Sequence, residues 1–182
     1  MGWIDSSIQE VKVFEPRLFH DNRGYFFESF NQQNFEDAIG EKVTFVQDNE
    51  SVSAKNVLRG LHFQAPPFAQ GKLVRVTQGS VLDIAVDIRR SSKTYGEYVA
   101  IELSAENKKQ LWIPPGFAHG FLALEDNTQF LYKCTAYYSP QHEHTLLFND
   151  TDLDINWNVT DPIISEKDLI GVPFAKLQTP FI

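Results

Sequence analysis

The chain has 182 residues, 16 of them basic and 24 acidic, for a formal charge of −8. That length suits one domain with a sizeable core. The acidic balance excludes a general nucleic-acid binder but leaves room for a small phosphorylated ligand, which needs only a few well-placed Arg and Lys.

The amino terminus, Met1-Gly2-Trp3-Ile4-Asp5-Ser6, has neither the basic leader nor the apolar segment of a signal peptide. It matches a myristoylation pattern formally, as short segments often do by chance. No apolar run approaches the roughly 20 residues of a membrane span. The single cysteine, Cys134, cannot form an internal disulfide, which fits a reducing, cytoplasmic compartment. Arg23-Gly24-Tyr25-Phe26-Phe27-Glu28 pairs a cation with aromatics, as a base-and-phosphate site would, and as ordinary edge strands also do. Residues 31–39, closed by Gly40, carry the best helix signal. Residues 72–77, Gln78-Gly79 and residues 80–88 read as a β-hairpin. In its second strand Leu82, Ile84, Val86 and Ile88 make an apolar face, and Asp83 and Asp87 stand on the other. Residues 98–103, 110–113, 120–124 and 129–135 continue the series. Ser165 to Asp168 reads as a capped helical turn. Strands at about 8–12-residue spacing, without helices between them, predict an all-β antiparallel sandwich or barrel. Residues 1–182 read as one domain.

Polar residues inside apolar strands mark the candidate site, because an unpaired buried charge is costly. They concentrate in residues 57–64, 70–72 and 113–121, with Tyr132 and Lys133 soon after. A lone strand histidine is by default a hydrogen-bonded core residue. His62, however, lies close in sequence to Arg59, Gln64 and Lys72, which points to a polar pocket. Imidazole is a natural base for a carbon-bound proton near neutral pH. It needs a carboxylate to hold its tautomer; Asp83, Asp87 and Asp168 are candidates, and spacing does not choose among them. Lys72 reads as a snorkelling edge lysine or as a fixed charge for an oxyanion. Tyr132 reads as a core aromatic or as a general acid. His119 follows a Pro114-x-Gly116-x-x-His119 turn, and with His62 it could begin a metal site. But Gln64 stands where a further ligand would be expected, and a catalytic metal normally has at least three protein ligands. His142-Glu143-His144 reads as a solvated connection.

In their order and spacing, several of these segments make the sequence resemble the dTDP-4-dehydrorhamnose 3,5-epimerase family, metal-free members of the cupin superfamily. They are Asp21-x-Arg23-Gly24-x-Phe26-x-Glu28, Gln47-x-Asn49-x-Ser51-x-Ser53, residues 57–64, 70–74, 83–89 and 110–121, Tyr132-Lys133 and residues 165–168. The resemblance implies a cupin-type antiparallel β-barrel or jelly roll with a few short helices, a dTDP-sugar substrate, and no metal or cofactor. By position, His62 would be the base, oriented by Asp168. Tyr132 would be the acid on the opposite face of the sugar, and Lys72 would stabilise the enolate oxygen at C4. His119 and Asp83 would be supporting polar residues. Arg23, Arg59 and Lys167 would contact the diphosphate. Phe26 and Tyr138 would sandwich thymine, with Glu28, Gln47 and Asn49 supplying polar contacts. The resemblance also implies a homodimer that shares strands and site residues between subunits.

Four rivals remain in view. A single-carbon epimerase would keep the same residues. A 3,4-ketoisomerase is disfavoured by His62, Tyr132 and Asp168 together, a silent sugar-nucleotide binder by the presence of His62 and Tyr132, and a metal-dependent cupin oxygenase by the missing ligands. Two features resist the transfer. Strand alternation sends Arg59 and His62, three residues apart, to opposite faces unless the strand bulges, and Gly60 is the place for a bulge. Residues 148–151 and 157–158 also depart from the Trp-x-Asp-Pro and Trp-Pro that the family more often shows, which bears on loop packing.

Overall fold

A computed structural model describes residues 2–182; Met1, part of the amino-terminal pattern, lies outside the described residues. In chain order the elements are β1 (Trp3–Asp5), β2 (Lys12–Phe14), β3 (Phe19–Asp21), β4 (Gly24–Phe26), α1 (Gln32–Ile39), β5 (Gln47–Ser53), β6 (Leu58–Gln64) and β7 (Lys72–Gln78). They continue with β8 (Ser80–Asp87), β9 (Tyr98–Ser104), β10 (Gln110–Ile113), β11 (Phe117–Ala123), β12 (Thr128–Cys134), β13 (Glu143–Thr145) and α2 (Glu166–Leu169). One sheet has the order β1-β2-β10-β7-β12-β5 and the other β13-β6-β11-β8-β9, while β3 and β4 pair only with each other. Valines 74, 76 and 81, Leu103, Phe121 and Phe130 join the two sheets in one core. This is the antiparallel cupin-like barrel that the strand spacing and the resemblance predict.

Local chemistry accounts for the one helix of any length. Asn31 caps α1 by accepting from the Asn34 amide, and Gly40 ends it at φ 77°, a left-handed conformation that favours glycine. Phe35 then packs with Leu73 and Trp112 on the outer side of the six-stranded sheet. β11 begins at Phe117, three residues before the predicted 120, because Phe117, Ala118 and His119 pair with Asp87, Val86 and Ala85.

β8 keeps the predicted alternation of an apolar face and a face with two carboxylates, and both faces are covered. Val81 and Ala85 enter the core between the sheets. Ile84, Val86 and Ile88 pack outward beneath the irregular carboxyl-terminal segment through Leu146, Leu153, Trp157 and Leu177. Asp83 and Asp87 are therefore fully buried, at 0% exposure, and each is paired. Asp87 accepts from Arg89 at 2.7 and 2.9 Å, Ser92 at 2.6 Å and Thr94 at 2.6 Å. Burial pushes its carboxyl pKa up, yet these bonds outweigh burial and hold it below the ordinary value. The sequence departures at 148–151 and 157–158 fall in the covering layer. There Asp150 accepts from the Phe174 amide at 2.8 Å, and the Trp157 indole donates to the Phe148 carbonyl at 2.8 Å.

Candidate active site

A bulge in β6 makes the site possible. His119 on β11 stands opposite His62, and Phe121 stands opposite Arg59, so β6 uses three steps where β11 uses two. The extra residue turns Arg59 and His62 to the same cavity, which removes the conflict with strict alternation. Gly60 allows this. Its φ is 114°, and a Cβ there would come within 2.6 Å of both the Gly120 Cα and the His119 carbonyl oxygen.

The cavity between the sheets has a volume of about 580 Å³. His62 and Arg59 reach it from the five-stranded sheet, Lys72 and Tyr132 from the six-stranded sheet, and Lys167 and Asp168 from α2. A smaller cavity of about 220 Å³ shares His62, Lys72, Tyr132 and Glu143, and adds Gln47, Asn49 and Tyr138.

The three carboxylates that spacing leaves open for His62 are separated by their partners. Asp87 belongs to Arg89, and both oxygens of Asp83 lie 3.0 Å from His119 Nε2. Asp168 takes His62, with Oδ1 2.6 Å from Nε2, and its Oδ2 accepts from the Gly60 amide at 3.3 Å. Ser165 caps α2 by accepting from the Asp168 amide at 3.2 Å, as the capped turn predicts. Burial favours a neutral Asp168. The bond and charge of His62, with the Gly60 and Ser165 bonds, outweigh it and hold the carboxyl below its ordinary pKa. The ring nitrogen of His62 away from Asp168 is the one able to accept a proton.

Across the cavity, burial pushes the Lys72 ammonium pKa down, against a weaker upward pull from Cys134, Glu143 and Asp83. Burial pushes the Tyr132 phenol up, so it stays protonated well into the alkaline range. Burial also lowers the His119 pKa against the pull of Asp83, and Lys72 and His62 further disfavour its imidazolium. An imidazole backed by a carboxylate, a buried phenol and a lysine whose charged form burial disfavours thus face one space.

Sequence reasoning missed Glu143. β13 pairs with β6, with Glu143 opposite Gln64, which carries its carboxylate into both cavities. There it accepts from the Tyr138 hydroxyl at 2.7 Å and from Lys167 at 2.5 Å. A three-residue strand is too short for a periodic signal. Gln64 fixes the loop carrying Tyr138: it donates to the Phe68 and Tyr137 carbonyls at 2.7 and 3.1 Å and accepts from the Ser139 amide at 2.8 Å. Gln47 accepts from the Tyr138 amide at 2.9 Å and donates to Asn49 at 3.0 Å. Among the described residues no three His, Cys, Asp or Glu side chains converge as metal ligands.

Arg23, Phe26 and Glu28 are not brought to either cavity. They belong to or follow the β3–β4 hairpin, where Arg23 pairs with Asp21 at 2.5 Å, Glu28 accepts from Asn31 at 3.3 Å, and Phe26 is 70% exposed. No helix among the described residues is long and apolar enough to cross a membrane.

A family model described as dTDP-4-dehydrorhamnose 3,5-epimerase matches residues 5–176. A curated dTDP-4-dehydrorhamnose 3,5-epimerase from Shigella flexneri is 55% identical over 175 residues, 96% of this chain and 97% of the relative. The crystal structure of a dTDP-6-deoxy-D-glucose-3,5-epimerase from Legionella pneumophila, in complex with dTDP-4-keto-L-rhamnose, superposes with a TM-score of 0.94 at 44% identity, covering 100% of this chain and 98% of that one. A 3'-monoepimerase from Streptomyces bikiniensis, in complex with dTDP-quinovose, gives a TM-score of 0.89 at 31% identity, covering 96% of this chain and 88% of that one. The match spans the strands that carry the cavity as well as the helix that carries Asp168, and on it the chain belongs to the dTDP-4-dehydrorhamnose 3,5-epimerase family.

Proposed function

We propose that the chain converts dTDP-4-dehydro-6-deoxy-D-glucose to dTDP-4-dehydro-L-rhamnose by inverting C3 and C5, with His62 as base, Tyr132 as acid and Lys72 as enolate stabiliser. The observation that carries this reading is the arrangement of His62, backed by Asp168, on one wall of a cavity whose opposite wall carries Tyr132 and Lys72. A C4 ketone acidifies the hydrogens on both neighbouring carbons, so one oxyanion stabiliser serves two epimerisations. His62 removes the proton, and Asp168 stabilises the imidazolium. The negative charge moves to the C4 oxygen, where the desolvated Lys72 ammonium offsets it more strongly than it would in water. Tyr132 returns a proton to the other face and inverts the carbon. Carbon oxidation states are conserved between substrate and product, and solvent exchange resets His62 and Tyr132.

Arg59 and Lys167 meet the diphosphate. Tyr138 stacks on thymine, held by Gln47 and Glu143, and Asn49 and His119 add polar contacts. Arg23, Phe26 and Glu28 act from a partner subunit in a homodimer. The exposed β3–β4 hairpin, with Phe19, Tyr25 and Phe26 each at least half exposed, supports this arrangement. Sedimentation as a monomer would remove it. The single buried thiol of Cys134 supports a cytoplasmic location, which recovery in a secreted fraction would contradict. A single-carbon epimerase could use the same side chains, but identity to the 3'-monoepimerase is 31% against 55% to the Shigella 3,5-epimerase.

The test separates proton removal from inversion. Tyr132→Phe should still exchange substrate hydrogen with D2O, because His62 can remove a proton and return it to the same face. Inverted product should fall about 100-fold or more. An unchanged yield of inverted sugar, measured by proton NMR, takes the acid role from Tyr132.

A further inference from the structure

Among the described residues, one buried side-chain polar atom lacks a hydrogen-bond partner: Ser51 Oγ. Native structures keep few such atoms, and each calls for a reason. Ser51 lies on β5 and lines the main cavity. By alternation it shares its face with Asn49 and Ser53. Asn49 stands directly opposite Tyr132, and the Ser53 hydroxyl accepts from Arg59 Nε at 3.2 Å. Ser51 is therefore placed between the phenol assigned to the reacting carbons and the guanidinium assigned to the diphosphate.

Building on the function proposed above, we propose that the Ser51 hydroxyl contacts the substrate directly, donating a hydrogen bond to an oxygen between the reacting carbons and the diphosphate. It thereby selects for sugar nucleotides with an acceptor at that point. Two oxygens have the required chemistry, the C2 hydroxyl of the hexose and an oxygen of the sugar-linked phosphate. The Oγ itself is buried in the free protein, and rotation about one torsion, among three staggered positions, turns it toward either.

Ser51→Ala removes a hydroxyl that has no partner in the free protein, so its thermal midpoint should be unchanged or higher. With wild type assayed in parallel on dTDP-4-dehydro-6-deoxyglucose, kcat/KM of the variant should fall about threefold to tenfold. If the partner is the C2 hydroxyl, the deficit disappears with the 2-deoxy sugar nucleotide and dTDP affinity is unchanged. If it is the phosphate, the deficit persists with that analogue and dTDP binds more weakly by a similar factor. Either pattern supports the role. Unchanged kcat/KM and dTDP affinity beside an active wild type overturn the role of Ser51 alone, as does a lowered thermal midpoint with undiminished kcat/KM. A wild type that performs no epimerisation overturns the proposed function and this role together.

Discussion

Replacing His62 by alanine is expected to abolish exchange of the substrate's carbon-bound hydrogens with solvent, a loss of about 1,000-fold or more. Tyr132 cannot take over, because burial keeps its phenol protonated. Lys72 lies on the wall opposite His62, and Asp168 lies behind the ring of His62, buried, with its second oxygen on the Gly60 amide. The alanine variant also strips buried Asp168 of its closest partner, which brings a stability cost of its own. His62→Asn is the cleaner test, since its amide can still donate toward Asp168. Both variants should fail to exchange, and the asparagine form should unfold closer to wild type. Residual exchange near the wild-type rate in either would remove His62 from the chemistry.

Lys72→Met should lower kcat by about 100- to 1,000-fold, the range seen when one oxyanion donor is lost. Its pH signature is more specific. Burial pushes the Lys72 ammonium below its ordinary value, while it pushes the Tyr132 phenol above its own. As pH rises, Lys72 loses its charge first, so the alkaline limb of wild-type activity should fall before that of an ordinary lysine. Lys72→Arg keeps the charge throughout the accessible range. Its residual activity should lack that limb. A limb unchanged in the arginine variant would assign it to another group.

What was legible in the sequence was local. Asn31 and Gly40 bracket α1, Gly79 divides β7 from β8, and Ser165 caps α2, each through contacts within a few residues. The polar anomalies in strands pointed to His62, Lys72, His119 and Tyr132 for a physical reason, the cost of burying them unpaired. The pairing of those anomalies was not legible. His62 and Asp168 are 106 positions apart, and spacing left Asp83 and Asp87 equally eligible; only the family resemblance chose. The β6 bulge was visible merely as a conflict between Arg59 and His62, with Gly60 as its possible site. The two-sided burial of β8 depends on an irregular carboxyl-terminal segment that has no periodic signal. Glu143 was hidden because its strand exists only through pairing with β6.

The charge of −8 also has a local counterpart. Arg59, Lys72 and Lys167 converge on one cavity beside Glu143 and Asp168, so basic side chains of an acidic chain gather where the proposed diphosphate site lies. Placement rather than net charge decides the ligand.

Incubating the wild-type protein with dTDP-4-dehydro-6-deoxy-D-glucose in D2O and following deuterium by NMR is the most direct measurement of two-carbon epimerisation. Deuterium at both C3 and C5, in a product with both centres inverted, is the predicted result. Deuterium at only one of the two carbons, or at neither, would contradict it.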